Sequence, residues 1–164
     1  MPVHRLLPLL LTLALVACGG SSPAPVPAPP ADDGDDASLQ VGDLHVRASA
    51  VQTAMLDEAV ARGYGIVRDP HNVLLLVMVR RGDGADAVAV PATVTATVTD
   101  LRGTRQSIAM RELRSGDPGA GAALVDHAGT VTTTLPDTLR FEVRVTPAGG
   151  APATLNFSRD FYPL

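Results

Sequence analysis

The chain holds one cysteine, no tryptophan, no lysine, and only five aromatic residues. A lone cysteine excludes an intrachain disulfide, a thiolate metal cluster and a paired-cysteine redox centre. Without lysine there is none to serve a strand–loop–helix phosphate site. With two tyrosines and three phenylalanines, a core has to be filled by aliphatic side chains. Long apolar runs are missing as well: Leu6 to Val16, broken only by Pro8 and Thr12, is eleven residues, whereas a spanning helix needs about 20. Excess charge is also absent. From Ser38 onward 12 arginines face 13 acids, a formal charge of −1, which argues against a general nucleic-acid surface.

What is present at the N-terminus is a targeting pattern. Met1 to Arg5 is a short basic region, Leu6 to Val16 an apolar one, and Leu15-Val16-Ala17-Cys18 resembles the lipobox of bacterial lipoproteins. The resemblance implies that residues 1–17 are a signal peptide and that Cys18 becomes the lipidated first residue, which would leave no thiol for chemistry. Gly19, where some bacteria use aspartate for inner-membrane retention, implies by the same resemblance the periplasmic face of the outer membrane. Residues 18–37 follow, with Pro23, Pro25, Pro27, Pro29 and Pro30 and then Asp32, Asp33, Asp35 and Asp36. So few large apolar side chains cannot offset the entropy of ordering, and a disordered tether is expected there. Extended at ~3.1 Å per residue, it would hold a domain up to about 60 Å from the lipid.

Residues 38–164 are long enough for one domain with a core of its own. Val41 to Ala50 alternates, with Leu44, Val46, Ala48 and Ala50 on one side. Ala54 to Arg62 shifts to helical spacing and stops at Gly63. Val73 to Val79 is a continuous apolar run of strand length, and Ala87 to Thr99 alternates again, with Pro91 marking an edge or a bulge. Thr104 to Leu113, Ala122 to Thr134 (interrupted at Ala128-Gly129), Leu139 to Val145 and Leu155 to Phe161 read as further strands. The expectation is an all-β antiparallel sandwich, immunoglobulin-like in outline, with about seven strands and one short helix between the first two. A small barrel is the alternative.

Gly42-Asp43-Leu44-His45-Val46, Tyr64-Gly65-Ile66-Val67-Arg68, Asn72 before an apolar strand, the Asp100-Leu101-Arg102-Gly103 turn, and Phe157 with Phe161-Tyr162 together resemble the DUF4426 family of bacterial envelope proteins, a family of unknown function. The resemblance covers about 39–162. It implies an exported, β-rich, sandwich-like domain of Gram-negative bacteria, and it carries no catalytic residues that could be transferred. The chain departs from the family pattern around Gly116 to Ala123.

Catalytic signatures are few. Gly116 to Gly121 is glycine-rich but leads into a strand, and the nucleophile-elbow and zinc-protease patterns are both absent. His45, His71 and His127 read as solvated polar positions, although Asp69-x-His71 and Asp126-His127 could each offer a pair of ligands. Arg81-Gly82-Asp83 and Asn156-Phe157-Ser158 match an adhesion tripeptide and a glycosylation sequon. In a turn and a strand they read as local structure. Tyr64 between two glycines reads as an anchor packed between helix and sheet, with a ligand surface as the alternative. The expected functional reading is a non-catalytic module, with no cofactor and no bound metal. It would be attached to the membrane through lipidated Cys18 and bind an envelope protein. The alternative is a small-ligand or metal-binding periplasmic domain using Tyr64, Arg68, His71 and His127.

Overall fold

The structure is a computed structural model that describes residues 36–115 and 124–164. Cys18, the expected signal peptide, most of the expected tether and the glycine-rich 116–121 segment lie outside the described residues. The first strand begins at Asp36, two residues before the boundary expected at 38.

The strands are β1 (Asp36–Val41), β2 (Leu44–Gln52), β3 (Asn72–Arg81), β4 (Val88–Ala89), β5 (Ala92–Thr99), β6 (Arg105–Ile108), β7 (Arg111–Ser115), β8 (Leu124–Thr132), β9 (Asp137–Pro147) and β10 (Ala153–Phe161). One α-helix, α1 (Glu58–Gly63), lies between β2 and β3. One sheet runs β1-β2-β3-β8-β7, with β4 added to β3; the other runs β10-β9-β5-β6, and all pairings are antiparallel. Taken in chain order, β2, β3, β8 and β7 occupy the places of strands A, B, E and D of an immunoglobulin domain, and β5, β9 and β10 those of C, F and G. The expected sandwich is thus formed, in immunoglobulin order, with β1 added outside the first of these strands.

The strand count exceeds the expected seven for identifiable reasons. The alternation read from Val41 belongs to β2, and Gly42 at φ 61° turns the chain back onto a preceding strand, β1, so the helix follows the second strand. The stretch read as one strand from Ala87 to Thr99 passes from one sheet to the other at Val90-Pro91, and Thr104 to Leu113 crosses back at Ala109-Met110. Strands that change sheets this way form the corners of a sandwich. The interruption expected at Ala128-Gly129 does not occur: β8 is continuous, and Gly129 sits where a side chain has no room. A Cβ there would lie 2.6 Å from Ile108 Cγ2 and 2.8 Å from the Ala109 carbonyl oxygen.

Two cores follow from the pattern. Between the sheets, Leu44, Val46, Ala48 and Ala50 meet Val73, Leu75, Val77 and Val79 from β3 and Leu139, Phe141, Val143 and Val145 from β9. This core is aliphatic, as the composition requires, apart from Phe161 and the stacked pair Phe141 and Phe157, whose ring centroids are 4.8 Å apart. β3 lacks alternation because both of its faces are covered: Leu74 points away from the main core into a second one, with Ala61, Ile66, Leu113 and Ala128, beneath α1. The helix starts at Glu58 rather than Ala54 because the Asp57 carboxylate caps it, accepting from the backbone N–H groups of Ala59 (2.8 Å) and Val60 (3.2 Å). Residues 53–55 form a separate 3₁₀ turn.

Candidate functional site

The α1–β3 connection is held in place by buried polar side chains. β2 presents its inner face at every second residue, and the last inward position is Gln52, a polar side chain in the core register. Gln52 Nε2 donates to the carbonyls of Pro70 (3.0 Å) and Tyr162 (3.1 Å). Thr53, fully buried, donates its hydroxyl to the Asp69 carbonyl at 3.1 Å and accepts from the Asp69 N–H at 2.9 Å. Buried polar groups so paired fix the loop rather than merely tolerate it. At its other end Gly65, at φ 62°, turns the chain out of α1. The Tyr64 carbonyl accepts from the Arg111 guanidinium.

Between this loop and the β6–β7 crossing lies a groove of about 240 Å³, its walls formed by Gly65 to Val67, Asn72, Ala109 and Arg111, with Ala128 to Thr130 of β8 behind. Asn72 Oδ1 accepts from the Thr132 hydroxyl at 2.7 Å. Val60 and Val67 are exposed. The groove therefore offers one guanidinium, backbone polar groups and an apolar flank.

The four residues singled out from the sequence do not share a site. Tyr64 is half-buried and packs on the second core, as an anchor would, though it is not enclosed. Arg68 is exposed and donates to the Ala54 carbonyl at 2.7 Å, bracing the 3₁₀ turn. His71 is exposed; its N–H donates to Asp69 Oδ1 at 2.7 Å and its carbonyl accepts from Thr133 N–H at 2.9 Å. His127, expected to be solvated, is buried at 4% exposure because it faces the main core. It lies opposite Val77, whereas His71 precedes Asn72, which lies opposite Thr132. At the rise of a strand that separates the two histidines by about 20 Å, well beyond a shared coordination shell with ~2 Å bonds.

His127 has a structural task instead. Its Nε2 lies 3.1 Å from the Ala92 carbonyl oxygen. A carbonyl only accepts, so Nε2 carries the hydrogen, and Nδ1 is left buried without a partner among the described residues. β6 pairs β5 only from Ala96 to Thr99, so Ala92 has no strand on that side, and His127 bonds across from the other sheet. His45 is half-buried, its Nε2 3.0 Å from Asp83 Oδ1 but poorly aligned for a hydrogen bond. Arg81 lies 3.3 Å from Asp43. The Arg81-Gly82-Asp83 tripeptide is therefore held to the β1–β2 hairpin through Asp43, whose carbonyl also accepts from the Gly82 N–H at 3.0 Å, with Gly82 at φ 87° making the turn. Sequence reasoning missed Gln52 and Arg111. The signal for Gln52 was available, a polar residue continuing an inward apolar parity. Arg111 carried none, since its partner is a backbone carbonyl 47 residues away.

No curated protein matches the chain. Among solved structures, a DUF4426 family protein from Pseudomonas aeruginosa PAO1 is similar, with a TM-score of 0.61 and 24% identity, over 79% of this chain and 97% of that one. At that identity the likeness concerns the fold. The family model described as "Domain of unknown function (DUF4426)" matches residues 38–163, the whole sandwich beyond its first two residues. The chain therefore belongs to the DUF4426 family.

Proposed function

We propose that the protein is a lipid-anchored binding module of the bacterial envelope that acts without catalysis. Cys18 would carry the lipid at the periplasmic face of the outer membrane, and the proline- and aspartate-rich segment would hold the sandwich away from the headgroups. The observation that carries this reading is the lipobox directly followed by that tether, ahead of a domain that begins at Asp36. Its support within the domain is the α1–β3 loop, which is fixed from below by Gln52 and Thr53 and presents Val67 to solvent at 74% exposure. The partner is an envelope protein. Since sandwiches host many functions, the reading rests on the anchor and this surface rather than on the fold class.

In-cell crosslinking followed by affinity capture tests it. One envelope protein should be enriched over a control lipoprotein carrying the same tether, and Val67→Asp should reduce that enrichment. Equal recovery with the control sinks the reading. The small-ligand alternative draws on the same groove, of about 240 Å³ and lined by Arg111. It predicts instead that Arg111→Gln abolishes binding of a small anion while protein crosslinks persist.

A further inference from the structure

The outward face of the β10-β9-β5-β6 sheet carries a repeated arrangement. Across the strands, Arg140 of β9 lies between Thr99 of β5 and Ser158 of β10, and Arg144 lies between Thr95 and Thr154. Each arginine thus has a hydroxyl-bearing residue on both neighbouring strands, at the ~4.8 Å spacing of paired strands. The two arginines are separated by about 13 Å along β9. Glu142 sits between them, but its carboxylate is taken: Arg105 of β6 donates to Glu142 Oε2 at 2.9 Å and to Thr97 Oγ1 at 2.9 Å. Asp160 likewise accepts from the Thr138 hydroxyl at 2.6 Å. Arg140 and Arg144 are exposed and pair with no carboxylate among the described residues. A shallow depression of about 320 Å³ opens beside Arg140, lined by Thr97, Thr99, Glu142, Asn156 and Ser158 together with Phe141 and Phe157. Every outward position of β5, β9 and β10 is Thr, Ser, Asn, Arg, Glu or Asp.

We propose that this face binds an acidic polysaccharide, with carboxylates of the chain on Arg140 and Arg144 and sugar hydroxyls on the flanking threonines and serine. A guanidinium pairs with a carboxylate through two parallel hydrogen bonds. A hydroxyl both donates and accepts, which matches the same property of a sugar. Two cationic positions about 13 Å apart fit an extended polymer, since a single small anion could reach only one. The outward side chains of this face are all polar, so a peptide anchored by apolar side chains finds little beyond Phe141 and Phe157 in the lining of the depression, and a nucleic acid would require a stronger excess of positive charge. The surface is on the opposite sheet from the α1–β3 loop, so the inference stands apart from the protein-binding reading.

The test is calorimetry with the full chain, using a uronate oligosaccharide and a neutral maltooligosaccharide of equal length. The uronate should bind, its affinity should fall as ionic strength rises, and the neutral sugar should not bind. The double variant Arg140→Gln/Arg144→Gln should weaken uronate binding about tenfold or more while keeping the melting temperature. Arg47→Gln, on an exposed position of the other sheet, should leave the affinity as it was. No uronate binding, equal binding of the neutral sugar, or undiminished binding by the double variant would overturn the proposal. Binding of monomeric uronate as tightly as the chain would overturn it as well, because it removes the two-site geometry.

Discussion

Gly65 and Gly129 are both required, for different physical reasons, and substitution separates them. Gly65 sits at φ 62° with open space around its Cα. A side chain there meets only backbone strain, and Gly65→Val should destabilise by about 1–2 kcal/mol. Its neighbour Gly63 closes α1 at an ordinary helical φ with nothing within 4 Å of a built Cβ, so Gly63→Ala should stabilise by about 0.5–1 kcal/mol. Between them Tyr64 is only half-buried, and Tyr64→Ala should cost about 2 kcal/mol, below the ~3–5 of a fully enclosed ring. Thermal melts of the three variants check the set; a shift under one degree for Tyr64→Ala would return that ring to the ligand-surface reading. Gly129 has an unremarkable φ but no room. An added methyl would meet Ile108, the Ala109 carbonyl and the Met110 sulfur, all within 3 Å. Gly129→Ala should therefore cost about 1–3 kcal/mol by overpacking; denaturation showing no loss would mean that the β6–β7 crossing yields freely. The requirement on Gly129 was not legible, since its neighbours are some twenty residues away in the chain. The need at Gly65 was half-legible: two glycines flank Tyr64, and only the fold showed that Gly65 is the one at positive φ.

At the scale of elements, legibility tracked whether a segment's partners were local. The alternation of β2 and β9 reported a half-buried strand directly, and the unbroken apolar run of β3 reported burial on two faces. β4 and β6 were absorbed into longer strands because alternation continues across a sheet change: the period stays two while the partner switches. The β5–β6 turn is the opposite case, since its residues carry their own geometry. The Asp100 carboxylate accepts from the Thr104 N–H at 2.7 Å, and Gly103, at φ 85°, donates to the Asp100 carbonyl at 3.0 Å. Desolvation, the largest single effect, pushes the Asp100 carboxyl up. The hydrogen bonds from Thr104 and from the Arg102 backbone, with the Arg102 charge, outweigh it and hold the carboxyl below its ordinary 3.8. A depressed carboxylate stabilises the fold above its unfolded value and stops doing so as the pH falls through the folded one. The turn should therefore be intact above pH 3.8 and loosen below it. In an NMR titration the Thr104 amide should shift with a midpoint under 3.8, and Asp100→Asn should remove that transition. A midpoint at or above 3.8 would mean the carboxylate is not held by the turn.

For the whole molecule, the fold class was legible because it depends on period and spacing, while the candidate site was not, because it depends on which loops the sheets bring together. Tyr64 was found through its flanking glycines. His71 and His127 were grouped with it on chemistry alone, and the register of β3 with β8 places them far apart. The proposed attachment of the domain concerns the chain as a whole and is testable independently of any site. If Cys18 carries the lipid, membrane association should depend on that residue; among the described residues no helix is long and apolar enough to cross a membrane. A single saturated chain gives only marginal, reversible binding, so stable attachment requires the multiple chains a lipidated N-terminal cysteine would bear. Cys18→Ser should then leave the protein either soluble after processing or retained with residues 1–17 uncleaved, and mass spectrometry of the N-terminus distinguishes these outcomes. A Cys18→Ser protein that is cleanly processed and still fractionates with membranes would show that Cys18 is not what holds it there, and the lipobox reading would fall.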